Sequence, residues 1–160
     1  MAGIEDVAEG KDDRADRPPP LYGLTPKVES AIVDAVQSGA VQRLRTLVAP
    51  LHPADQADLL ERLPTRSTTA LVRLLGDHLD AETLTYLDES TREAIIEAIG
   101  TDVLARQLHG LSTDDAINII EELEQDDLRD VLAALSAEDR VLVEEGLSFP
   151  EDSAGRLMQR

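Results

Sequence analysis

The chain has 160 residues, 33 of them acidic against 15 basic, and a formal charge of −18, which describes a strongly anionic protein of single-domain size. Binding a phosphate backbone or an anionic lipid surface needs a basic footprint, so nucleic-acid and membrane-surface binding are excluded. Cysteine is absent and Tyr22, Tyr86 and Phe149 are the whole Phe, Trp and Tyr complement, which rules out thiolate chemistry and base stacking, while 42% hydrophobic residues still allow an aliphatic core.

Residues 1–20 hold six acidic and three basic side chains and end in Pro18-Pro19-Pro20, so they read as a disordered acidic leader. Met1–Gly10 lacks the basic start and apolar middle of a signal peptide, and no apolar run approaches the ~18–20 residues that span a bilayer. The remaining 21–160 form one domain with a net charge of −15, so the acidity belongs to the folded part. Thr25-Pro26 opens a helix whose Val28, Ala31, Ile32, Ala35 and Val36 make an apolar stripe ending at Gly39. Leu44, Leu47 and Val48 mark the next.

From there the sequence has a period of twelve. Leu or Ile stands at Leu51, Leu63, Leu75, Leu87, Ile99, Leu111, Leu123, Leu135 and Leu147. Eight and nine residues after these marks come Leu59-Leu60, Leu71-Val72, Ile95-Ile96, Ile119-Ile120 and Val131-Leu132, while Thr83-Leu84, Gln107-Leu108 and Val143-Glu144 match by half. Offsets of eight, nine and twelve share one face of an α-helix, so each unit predicts one short helix. Pro53 and Pro64 suit a first helical turn, Ser90-Thr91-Arg92-Glu93 fits a capping box, and Ser112 and Ser136 suit N-caps. Helices of about nine residues are marginal alone and gain stability by stacking. The expected fold is all-α, a superhelical array of about ten short helices.

The chemistry of catalysis is missing. There is no G-x-S-x-G, P-loop, G-x-G-x-x-G or H-E-x-x-H, and His52, His78 and His109 share no phase in the repeat, which leaves them solvated or cap-forming. Asp77 and Asp80 have neither the spacing nor the glycine of a calcium loop. The expectation is a protein that is not an enzyme. What remains is acidic density: eight carboxylates between Asp114 and Asp130 against Arg129 alone. Such a run reads either as solvated helix faces or as a surface for a divalent cation. Two carboxylates ~6 Å apart repel by about 3 kcal/mol at an effective dielectric near 20, which a cation would relieve.

Three segments carry a resemblance. LHPADQADLLERLP at 51–64, LSTDD at 111–115 and FPEDSAGRLM at 149–158 resemble the N-terminal cytosolic domain of the MgtE magnesium transporter family, in order over about residues 25–160. The resemblance implies a regulatory domain on the cytoplasmic side of the bacterial membrane, part of a homodimeric channel with CBS domains, a connecting helix and five membrane spans. It implies a superhelix of short helices and a final segment leading toward CBS domains beyond Arg160. It further implies Mg2+ bound between this domain, the CBS domains and the connecting helix, holding the pore shut when magnesium is plentiful.

Carried over by position, the family's acidic ligands fall on Glu82 and on Asp114, and a third falls on Asn118, a departure that keeps an oxygen but loses the charge. Asp115 stands as a ligand or as a helix-dipole partner. Glu82 and Asn118 share the same offset three units apart, and Asp114 and Asn118 are four residues apart on one helix face. The alternative from another class is a helical interaction scaffold similar to flagellar motor-switch proteins, binding protein partners without any response to magnesium.

Overall fold

Ten short α-helices and one 3-10 turn make up residues 24–149, the part of the chain that the computed structural model describes. They are α1 (Pro26–Gln37), α2 (Val41–Val48), α3 (Pro53–Arg62), α4 (Thr65–Leu75), the 3-10 turn Gly76–His78, α5 (Thr83–Tyr86), α6 (Glu89–Ile99), α7 (Thr101–Leu108), α8 (Thr113–Glu121), α9 (Gln125–Ala134) and α10 (Ala137–Leu147). No strand occurs among the described residues. The leader 1–20 and all of the final motif except Phe149 lie outside them.

The twelve-residue marks fall at helix ends, and the residues eight and nine beyond them fall at mid-helix, facing the core. Leu59, Leu60, Leu71, Val72, Ile95, Ile96, Ile119, Ile120 and Val131 are all buried. Two of the half-matching pairs obey the same rule, while in Val143-Glu144 only Val143 is buried and Glu144 is exposed. Thr83 is 0% and Gln107 6% exposed, so the core accepts a polar side chain at that offset. The unit from Leu75 to Leu87 departs from one helix per unit: it spends its first half on the 3-10 turn and leaves α5 only four residues.

Starts of helices follow capping chemistry. Thr25, Ser112 and Ser136 accept from the backbone N–H three residues on, Pro53 occupies the first turn of α3, and His52 caps that helix through its ring nitrogen. Two expectations shift. Pro64 stands just before α4 rather than inside its first turn. Ser90 is not the cap of α6: Asp88 is, accepting from the Thr91 N–H at 2.9 Å and from the Ser90 and Thr91 hydroxyls. A carboxylate that collects three donors outcompetes a hydroxyl two residues later.

Helix ends reveal a device that the apolar pattern hides. The fifth residue after a mark reaches back to carbonyls at the end of the preceding helix, which lack intrahelical donors. Gln56 Nε2 donates to the Leu51 carbonyl at 3.1 Å, Thr68 Oγ1 to Leu60 at 3.0 Å, Arg92 to Leu84 at 3.1 Å, and Arg140 to Ala133 and Leu135 at 3.4 Å. Three other units place Leu104, Ala116 and Leu128 there instead.

Packing sorts the helices into two rows. One runs α2, α4, α6, α7, α9, with α1 against α2 and α4; the other runs α3, α5, α8, α10. Alternation breaks once, at Gly100, whose φ of 81° lets α6 and α7 follow each other within the same row. As a result α5 and α8 become neighbours in the opposite row.

Candidate functional site

Glu82 is the residue just ahead of α5, exposed, in a turn tied down at several points. Its N–H donates to Asp80 Oδ1 at 3.0 Å, and Tyr86, one turn later, donates its hydroxyl to Glu82 Oε1 at 3.4 Å. Tyr86 is 48% exposed and meets the His52 ring edge-on, 6.2 Å between centroids. The core side of the turn is held by Thr83, whose hydroxyl donates to Gln56 Oε1 at 3.0 Å, and by Leu84, which is fully buried.

The first turn of α8 carries the other predicted residues. Asp114 is its second residue and partly buried, Asp115 its third, and Asn118 lies exposed one turn on. Asp115 is engaged in the cap: its N–H donates to Ser112 Oγ at 3.2 Å and its carboxylate accepts from the Ser112 hydroxyl at 2.8 Å. Because α5 packs on α8, the structure brings the segment bearing Glu82 beside the helix bearing Asp114 and Asn118. Their connecting segments also touch, since a Cβ added to Gly110 would lie 3.6 Å from that of Ala81.

This arrangement suits a hydrated ion rather than an enclosed one. Among the described residues no three His, Asp or Glu side chains gather closely enough to hold a metal. Glu82, Asp114 and Asn118 offer hard oxygen donors on two packed elements, the kind and number that Mg2+ accepts while keeping several of its waters.

A second acidic feature escaped the sequence reading. Glu89, Glu93 and Glu97 face Glu122, Glu124 and Asp127 across an open groove of ≈ 520 Å3, with Ile96 and Leu123 at its base. The signal for its near wall was present, since Glu89, Glu93 and Glu97 recur at four-residue spacing on one helix face. The far wall needed the packing. At its edge Arg92 grips Glu122 through two bonds of 2.8 Å while a further nitrogen holds the Leu84 carbonyl, so one cation ties α5, α6 and α8 together.

Two other carboxyls are displaced in acidity. Asp88 is held down at about 2 by the Ser90 hydroxyl, then by the Thr91 N–H and hydroxyl. Asp139 lies below the usual range because the Ser136 hydroxyl and then the His109 ring, 2.8 Å away, stabilise its charge. His109 therefore pairs with a capping carboxylate on α10, as His52 caps α3.

The family model of the MgtE intracellular N domain matches residues 51–152, more than half of the chain. The chain belongs to that family. The MgtE N-domain fold also appears in solved structures. The soluble part of a magnesium transporter superposes with a TM-score of 0.71 at 18% identity, over 83% of this chain and 53% of that one. The cytosolic domain of the Mg2+ channel MgtE in complex with ATP gives 0.69 at 24% identity, over 82% and 54%. The chain thus spans about half the length of either structure. No curated protein matches it. The family is that of an intracellular domain of a transport protein rather than of an enzyme, and the described residues include no helix long and apolar enough to cross a membrane.

Proposed function

We propose that this chain is the Mg2+-sensing part of an MgtE-type magnesium channel, on the cytoplasmic side of a bacterial membrane. It acts on the pore through cation-bridged contacts with the CBS domains and connecting helix of the same homodimeric protein. The observation that supports the reading is the packing of α5, which Glu82 precedes, on α8, which carries Asp114 and Asn118. Asp115 adds negative charge at the same helix end.

Mg2+ sheds its waters reluctantly and takes one or two carboxylates from any surface, so this domain alone binds it weakly and a facing acidic surface tightens the capture. An ion that binds the closed pairing better than the open one shifts the population toward closure by that difference in affinity. When magnesium falls, the like-charged surfaces repel and separate.

The test is a magnesium titration of the chain by amide NMR. Saturable millimolar shifts centred on Glu82, Asp114 and Asn118, abolished in Glu82→Gln with Asp114→Asn, support the sensor. Small uniform shifts over every acidic face reduce the effect to counterion screening and favour a scaffold. In the intact channel the same pair of substitutions should leave the pore open at high magnesium; unchanged gating would remove these two residues from the site.

A further inference from the structure

Gln56 belongs to the 51–64 segment, yet an N-terminal helical turn has no need of a glutamine there. Its side chain is 3% exposed, and burial of a primary amide is costly unless both its oxygen and its nitrogen find partners. Both do. The nitrogen donates to the Leu51 carbonyl at 3.1 Å and reaches the Val48 carbonyl at 3.5 Å. The oxygen accepts from the Thr83 hydroxyl at 3.0 Å and from the Asp80 N–H at 3.4 Å. One amide thus joins the end of α2 to the turn Asp80–Thr83, across 24 to 27 residues of sequence.

That turn is the one that presents Glu82. Its own helix, α5, has four residues, far below the length at which a helix holds itself together, so its place is set from outside. The fixings on its core side are the Gln56 bonds, the buried Leu84 and the Arg92 bond to the Leu84 carbonyl. Of these, the Gln56 bonds are the ones that reach Thr83, next to Glu82, and Asp80, two residues before it. We infer that Gln56, through Thr83 and Asp80, is the positioning residue that holds the turn presenting Glu82 in its place ahead of α5, the helix that packs on α8. This rests on the sensor reading for its consequence in magnesium binding and on the hydrogen bonds alone for its mechanical part.

Two variants of the whole 160-residue chain test it: Gln56→Met, which removes all four bonds at similar volume, and Thr83→Val, which removes the hydroxyl alone. Losing a buried hydrogen bond of this kind changes an opening equilibrium by roughly 5–10-fold. In the metal-free chain, amide exchange at Asp80 and Thr83 should accelerate by about that factor in both variants, stay unchanged at Ile119 and Val131, and return to normal in Thr83→Ser. Unchanged exchange at Asp80 and Thr83 overturns the inference. With Mg2+ added, the apparent dissociation constant read at the Glu82 amide should rise about threefold to tenfold, while the response at Glu93 and Asp127 holds. Equal weakening at all of these positions overturns it, because that marks general loosening. If the unmodified chain shows no response at Glu82, the sensor reading fails, and the exchange rates by themselves decide whether Gln56 holds the turn.

Discussion

The front and rear of the array are built from the same twelve-residue unit and solve different problems. Residues 24–75, covering α1 to α4, carry five acidic and six basic side chains, a net +1, and both α3 and α4 bury four residues each. Residues 113–147, covering α8 to α10, carry twelve acidic and two basic, a net −10; α8 still buries four residues, but α9 and α10 bury one each, Val131 and Val143. Between them lies a stretch of eight acidic and two basic residues. The front is held by apolar contact and side-chain caps, and its near-zero net charge leaves little self-repulsion for salt to screen. Beyond α8, the helices α9 and α10 have little buried surface to oppose the repulsion among their carboxylates, so their stability depends on what screens or bridges them.

Core truncation should separate the halves most sharply. Val72→Ala in the front and Val131→Ala in the rear delete the same atoms from fully buried sites, and the first is expected to cost about 3 kcal/mol and the second about 2 kcal/mol in a denaturant melt; equal costs would erase the contrast. Next comes the joint between α8 and α10. A Cβ on Gly146 would collide with Ile117 Cδ1, so Gly146→Ala should destabilise by about 1–3 kcal/mol, and Ile117→Val should recover part of that in the double variant.

The middle of the molecule offers a finer cut. Arg92 is 14% exposed, and Arg92→Met loses the paired bonds to Glu122 and the bond to Leu84, for about 1.5–3 kcal/mol by thermal unfolding. Arg92→Lys should recover less than half, because a single ammonium cannot reproduce the forked geometry. The pH dependence follows from Asp88. Its carboxyl is more acidic folded than its ordinary 3.8, so the native chain binds fewer protons than the unfolded one in that range. The stabilisation is present above 3.8 and drains away as the pH falls toward about 2, and Asp88→Asn should flatten this part of a stability-against-pH curve. The smallest effect is expected from single neutralisations in the groove. Glu93→Gln or Glu124→Gln should stabilise by a few tenths of a kcal/mol at low salt, an increment that shrinks when salt or Mg2+ is added.

Most of the helices were legible because the repeat marks both their ends and their buried faces. Thr25, Ser112 and Ser136 were readable as caps since each stands immediately before an apolar-periodic run. Asp88 was not, because its advantage comes from gathering Ser90 and Thr91 around one carboxylate, a local geometry that the S-x-x-E spacing imitates two residues later. The polar clasps at Gln56, Thr68, Arg92 and Arg140 were hidden for another reason: their partners are backbone carbonyls, which leave no letter in the sequence. For the candidate site, the shared phase of Glu82 and Asn118 was visible, but the packing of α5 on α8 was not. It depends on α6 and α7 lying in one row, a choice made by the backbone at Gly100 and not by any pattern of side chains.

That single break in alternation gives the array a parity. Inserting or deleting one twelve-residue module beyond Gly100 would send every later helix to the opposite side and strip α5 of its present neighbour, whereas adding modules in twos would preserve which side each helix faces. Even a paired insertion between Gly100 and Asp114 would place a new helix between α5 and α8, so a lineage that keeps those two helices as neighbours is confined to changing the length of the array ahead of α5 or beyond α8.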